Sequence, residues 1–561
     1  MIKNNTSSNV KLISWIWLLL CLIIYCINCF SISSGNTDSD ISSELILAKD
    51  LADRNQFVFS DNWFYSTEIR VISLNLLYSP LFQIIDDWFL VKRIGSTIAV
   101  LLMIAALFFL CRQLKIKNLF PFAAGALLLP LSKQYFLMVL YEAYYAIYIA
   151  LAFLGIGLAF YFATKKHTLL KKCLVLGALG FIAFAFGLTS MRMLLTLSIP
   201  LFLAILLAFP AVNISTEMKA GNRKRISMGR IAKRLSIAVI VFLICSLIGY
   251  LIHSVVLVKI YPVKTFEALK WTSFNLEGAA QLITGVLRSF GFQEGYNVIG
   301  RQGIANGLAL ILTVLLVIVV SQQSRIRALR LNPKLFFLCY YLISSFTILL
   351  IIFSFSDMYF RERFLIPCIN FSLLILFGWL LSMWYRHNKE APRKSLLMII
   401  SMTCICCLSI AASFSFSNLK AASGQASEAN EIVGYLQQNE YSDGFSTYWN
   451  GNALTELSNG NLELWTLDNN AQEVSDLKGE LQLKSHFSNY PSGKIFVLVQ
   501  NGAGITMDAN GFSPLVSYEV SQVPLFKKLN EDNIVYRTDN YLIYSYDNMT
   551  DLNADINGYD N

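Results

Sequence analysis

The chain has 561 residues, of which 55% are hydrophobic and 14% charged, with a mean hydropathy of +0.53. Soluble domains carry about 25% charged residues, so the composition excludes a water-soluble globular enzyme. With 30 Gly and 12 Pro among abundant aromatics, it also excludes a disordered or fibrous chain.

A membrane-crossing helix needs roughly 20 mostly apolar residues. Eleven segments meet or approach that length: 12–30, 94–111, 118–132, 144–163, 169–187, 193–211, 236–258, 304–321, 335–356, 364–384 and 396–413. Lys3 and Lys11 precede the first, in the manner of a signal peptide. No small-x-small cleavage site follows it, which predicts an uncleaved anchor.

Basic residues orient the chain. With a cytoplasmic N-terminus, the inner segments hold 24 of the 45 basic residues, seven of them between Lys219 and Arg234, against two acids, Glu217 and Glu390. The alternation is unbroken. It predicts an odd number of spans in the plasma membrane, with an extracytoplasmic C-terminus. The formal charge of +9 is therefore a sum over two sides of a bilayer, with no basic face for nucleic acid.

Three external parts follow: loop one over 31–91, a loop over 259–303, and a tail over 414–561. The tail carries 19 acids against 7 basic residues. Its strand-like runs near 494–501 and 541–547 alternate with helical patterns such as 428–438. The spacing predicts an α-helical polytopic membrane domain over 1–413 and an extracytoplasmic α/β domain over 414–561. All 11 cysteines fall in apolar spans and the four histidines are scattered, so neither a disulfide framework nor a His/Cys metal site is expected.

Loop one is richer than a spacer. Apolar residues recur at helical spacing in ELILAKDLA and in EIRVISLNLLYSPLF, which predicts amphipathic helices along the outer surface. Near its start stand Asp38, Asp40 and Glu44, the last two one helical turn apart. Asp40 alone would serve as an N-cap. A further acid, Glu142, sits at the outer mouth of the fourth span among Tyr141, Tyr144 and Tyr145. A charge at membrane depth is costly and normally has a partner or a task.

Cations also stand outside, where the charge rule disfavours them: Arg192 between spans five and six, and Arg361 and Arg363 at the start of span ten. A guanidinium fork binds phosphate bidentately. Outer carboxylates with such cations fit sugar transfer from a lipid phosphate. A carboxylate deprotonates an acceptor hydroxyl as it attacks the anomeric carbon, and the cations stabilise the departing phosphate. Embedding in the bilayer serves the donor's polyprenyl tail.

The arrangement resembles the GT-C superfamily of integral-membrane glycosyltransferases, most of all its protein-mannosyltransferase and aminoarabinose-transferase branch. The matching features are the acidic DSDISSE of loop one (38–44), the second outer acid Glu142 and the late RFLIP at 363–367. The resemblance implies that Asp40 is the catalytic acid of loop one, with Glu44 or Asp38 in its place as alternatives. It implies that Glu142 is the second-loop acid and that Arg363 contacts the donor phosphate, with Arg361 and Arg192 available beside it. It implies a polyprenyl-phosphate-linked sugar as donor and an envelope glycan, lipid or protein as acceptor. It leaves open a divalent metal, Mg or Mn, on Asp38 and Asp40. The competing readings are a transporter or flippase of lipid-linked saccharides and a non-catalytic envelope-assembly protein. Against the former, the spans are largely free of charge at their centres.

Overall fold

The computed structural model describes residues 2–558 apart from 31–38, 67, 117, 119, 166–167, 190, 218–221, 262, 264–269, 326–332, 387–389 and 502–522. Two compact units emerge. A helical bundle comprises Met1–Cys29, Ala99–Val256 and Glu267–Phe416. A second unit, organised on a sheet, comprises Phe30–Ile98, Leu257–Phe266 and Ser417–Asn561.

Among the described residues ten helices are long and apolar enough to cross a membrane, so the chain is a multi-pass membrane protein. The eleventh expected span, 118–132, is not a continuous helix. It forms a helix of eight residues, Phe120–Leu127, and a second helical stretch begins at Lys133. Pro130 accounts for the break, since a proline disfavours the helical conformation in the residue before it. Ser132 then caps the new start by accepting from the Tyr135 amide at 3.2 Å. The pieces still advance along the helix Ile366–Arg386: Phe122 stacks on Phe377 at 6.1 Å, and Tyr135 donates to Asn370 Oδ1 at 3.1 Å.

Two bundle helices, Leu169–Thr189 and Asn222–Ile252, meet backbone to backbone. A Cβ on Gly187 would lie 1.9 Å from the Ser246 carbonyl oxygen, and one on Gly249 would lie 2.2 Å from that of Phe184. Small residues that admit such approach are the usual means of helix association in lipid.

The second unit holds a five-stranded sheet in the order Glu463–Leu467, Asp443–Thr447, Ile495–Gln500, Tyr541–Tyr546, Ile534–Arg537. The first three strands are parallel and the remaining pairings antiparallel. The central strand is buried throughout and its side chains alternate between faces. Phe496 and Leu498 pack with Ile432 and Leu436 of the long helix Glu390–Gln438. Ile495, Val497 and Val499 pack with Leu552 and Ile556. The expected α/β unit is thus present, and loop one is built into it: Trp63–Phe64 pairs antiparallel with Gln482–Leu483. The first amphipathic segment of the loop appears as the helix Ser39–Asp53, whereas of the second, 68–82, only Asn75–Phe82 is helical.

Candidate active site

The candidate residues divide between the units. In the sheet unit, Asp40 lies in the first turn of Ser39–Asp53 and Glu44 one turn on. They do different things. Asp40 is half-buried and its Oδ1 accepts from the Tyr448 hydroxyl at 2.6 Å. Glu44 is buried and ion-paired with Arg70. Asp38 lies outside the described residues.

The helix bearing Asp40 is clamped to the helix Tyr448–Leu457. Ser42 donates to Glu456 at 2.7 Å, and Lys92 reaches the same carboxylate at 2.8 Å, with both charged side chains at most 5% exposed. Tyr448 is itself buried, with the Lys478 ammonium 4.1 Å from its ring centre. Tyr448 and Glu456 belong to the tail segment STYWNGNALTELSNG at 446–460. Nothing in its spacing pointed to Asp40, which is 408 residues away.

In the bundle, the expected cations converge. Arg363 lies in the short turn Glu362–Leu365, and Pro367 follows at the start of Ile366–Arg386, where a proline costs no hydrogen bond. The guanidinium carbons of Arg192 and Arg363 lie 5.7 and 5.9 Å from the centre of the Phe364 ring. Arg192 also donates to the Tyr145 hydroxyl at 2.9 Å. Both arginines line one cavity of about 30 Å³ with Tyr145, Tyr148, Tyr341 and Phe364, a volume that admits a water or two. The Nε of Arg363 is buried and has no hydrogen-bond partner among the described residues. The nearby acids are engaged elsewhere: Glu362 faces Arg288 at 3.8 Å and Asp357 accepts from the Lys270 amide at 3.0 Å. Arg361 stands in extended backbone just before the turn and is half-buried.

Glu142 is 1% exposed, at the end of the π-helical turn Phe136–Tyr141. The next residue, Ala143, takes a φ of 55°, and the Tyr145 amide reaches back to the Met138 carbonyl. This tight reversal holds Tyr144, Tyr145 and Tyr148 in mutual edge-on contact and carries Tyr145 to Arg192. A second π-helical turn, Leu194–Ser198, follows Arg192 directly. Such turns are frequent at functional sites.

Among the described residues no three His, Cys, Asp or Glu side chains group to hold a metal ion. The described part of the expected pair, Asp40, has an oxygen engaged by Tyr448.

No family model matches the sequence, and no curated protein matches it. Solved structures do. ArnT from Cupriavidus metallidurans in the apo state superposes with a TM-score of 0.54 at 11% identity, over 94% of this chain and 97% of that one. The same protein bound to undecaprenyl phosphate gives 0.52 at 10%, with the same coverage. The chain therefore shares the fold of ArnT. An oligosaccharyltransferase from Archaeoglobus fulgidus, in complex with Zn and sulfate, aligns at 0.48 and 11% over 86% of this chain and 67% of that one. The expected polytopic architecture is therefore shared with a solved structure at an identity where sequence comparison alone finds nothing.

Proposed function

We propose that this chain is a membrane glycosyltransferase that moves a sugar from a polyprenyl-phosphate donor to a hydroxyl-bearing acceptor on the outer face of the plasma membrane. The observation that carries the reading is the convergence of Arg192 and Arg363 on one cavity in the bundle. It occurs in a fold shared with a protein crystallised with undecaprenyl phosphate. The distribution of basic residues supports a cytoplasmic N-terminus and an extracytoplasmic tail.

Asp40 is the base. Glu44 is buried against Arg70 and acts through position, whereas Asp40 keeps partial access to solvent. The acceptor oxygen attacks the anomeric carbon as Asp40 takes its proton, and the glycosidic C–O bond to phosphate breaks. The electron pair leaves with the polyprenyl phosphate. Charge growing on that phosphate is met by the guanidinium groups of Arg363 and Arg192, with Arg361 at the approach. Such donors are most effective where water is excluded, and the buried Nε of Arg363 supplies one. Glu142 is the second acid of the site, close in sequence to the Tyr145 that holds Arg192.

Transfer assays in detergent or nanodiscs test both roles. Asp40→Asn keeps an acceptor for the Tyr448 hydroxyl and is expected to lose about 10²–10⁴-fold in kcat. Full activity in that variant removes the base. Arg363→Ala is expected to raise the KM for donor at least about tenfold, the worth of one charge-assisted hydrogen bond. An unchanged donor KM removes the phosphate role.

A further inference from the structure

A cavity of about 280 Å³ lies within the sheet unit, between the helix Ser39–Asp53 and the sheet's first strand. Sites for small ligands begin near about 300 Å³ and combine an apolar floor with a few aimed polar groups. Ile46, Trp88, Leu462 and Leu464 supply the floor.

The polar groups are held in place and keep capacity to spare. Asn452 is 3% exposed; its Nδ2 donates to the Leu481 carbonyl at 3.2 Å, while its Oδ1 has no hydrogen bond among the described residues. It lines the cavity. Asn459 is the reverse case, with its Oδ1 fixed by the Trp88 amide at 2.7 Å and its Nδ2 left to donate. Glu463 has one oxygen on His486 Nε2 at 2.9 Å and the other available. Thr455 donates to the Gly451 carbonyl at 3.4 Å and can still accept.

We propose that this cavity binds a saccharide ring that bears no negative charge. Acceptors on Asn452, Thr455 and Glu463 and a donor on Asn459 line the same cavity and match sugar hydroxyls, each of which both donates and accepts. Lys49 stands against Asp50, Asp53 and Glu463, so the lining is net negative and repels phosphates and uronates. Neutral and amino sugars remain. The assignment rests on the glycosyltransferase reading only for its role, as a subsite for the acceptor's sugar.

The test is saturation-transfer NMR on the full chain in nanodiscs, with glucose, N-acetylglucosamine, glucosamine, glucuronate and glucose 1-phosphate as probes. The first three are expected to receive saturation and the two anions none. Thr455→Trp, which fills the cavity, is expected to weaken the signal at least tenfold. The pair Asp53→Asn with Glu463→Gln, at the partly exposed rim, is expected to admit glucuronate. Absence of any saccharide signal, equal signals from the anions in the unmodified chain, or full signal in Thr455→Trp overturns the proposal. Saccharide binding in a chain without transferase activity would overturn the functional reading and leave this site standing. Transfer without saccharide binding would do the reverse.

Discussion

Glu463 and His486 show what one pair contributes to the sheet unit. The hydrogen bond from His486 holds the Glu463 carboxyl below the usual range, against the opposing effect of burial. His486 in turn stacks on Trp465 at 4.5 Å. A carboxyl whose folded pKa is depressed stabilises the fold above its unfolded value, about 4.3. That contribution is lost as pH falls through the folded value. The unmodified chain should therefore lose thermal stability below about pH 4.3, and Glu463→Gln should flatten that part of the Tm profile. A profile of identical slope in both removes the pair from the acid response. At the same scale, the separate tasks of Asp40 and Glu44 were not legible. Spacing put them one turn apart, but Arg70 and Tyr448, which distinguish them, come from other elements.

Between elements, the carboxylate of Glu456 is the joint. It receives Ser42 from one helix and Lys92 from another, with both charges nearly out of water. Removing one partner of a buried pair leaves the other charge uncompensated, at a cost of about 3–5 kcal/mol. Glu456→Ala is expected to lower the unfolding free energy of the sheet unit by that much, read by pulse proteolysis. Lys92→Met together with Glu456→Leu should recover most of it. Equal losses in single and double variants would show that no ion pair is at work. Hydropathy found the ten spanning helices and short apolar runs found the strands at 495–500 and 541–546, because both are local patterns. It joined the 118–132 stretch across Pro130, because apolar content alone does not register a broken backbone. The Lys92–Glu456 pair spans 364 positions and has no period to detect.

For the whole molecule, charge arithmetic makes the strongest commitment. The loops expected inside are almost purely basic and the tail strongly acidic, a pattern that predicts the two ends of the chain on opposite sides. A cysteine placed at exposed Ser488 should react with a membrane-impermeant thiol reagent in intact cells, and one placed at Arg112 only after permeabilisation. The opposite pattern inverts the topology. The fold class was readable from composition and spacing because the bilayer restricts backbones to a few solutions. The candidate site could be proposed from the sequence only as a set of residue types. Which of them meet was not, apart from the arginines flanking Phe364.

The antiparallel pairing of Trp63–Phe64 with Gln482–Leu483 also sets a schedule. A ribosome adding about 5–20 residues per second takes about 20–80 s to travel from one strand to the other. Throughout that interval the helix bearing Asp40 has emerged with Arg70 available to Glu44 but without the helix Tyr448–Leu457 that clamps it and without the strand Gln482–Leu483. Loop one must therefore survive as an unpaired, partly apolar segment while the later spans are inserted. A nascent chain arrested before residue 482 would leave it a substrate for envelope chaperones and proteases.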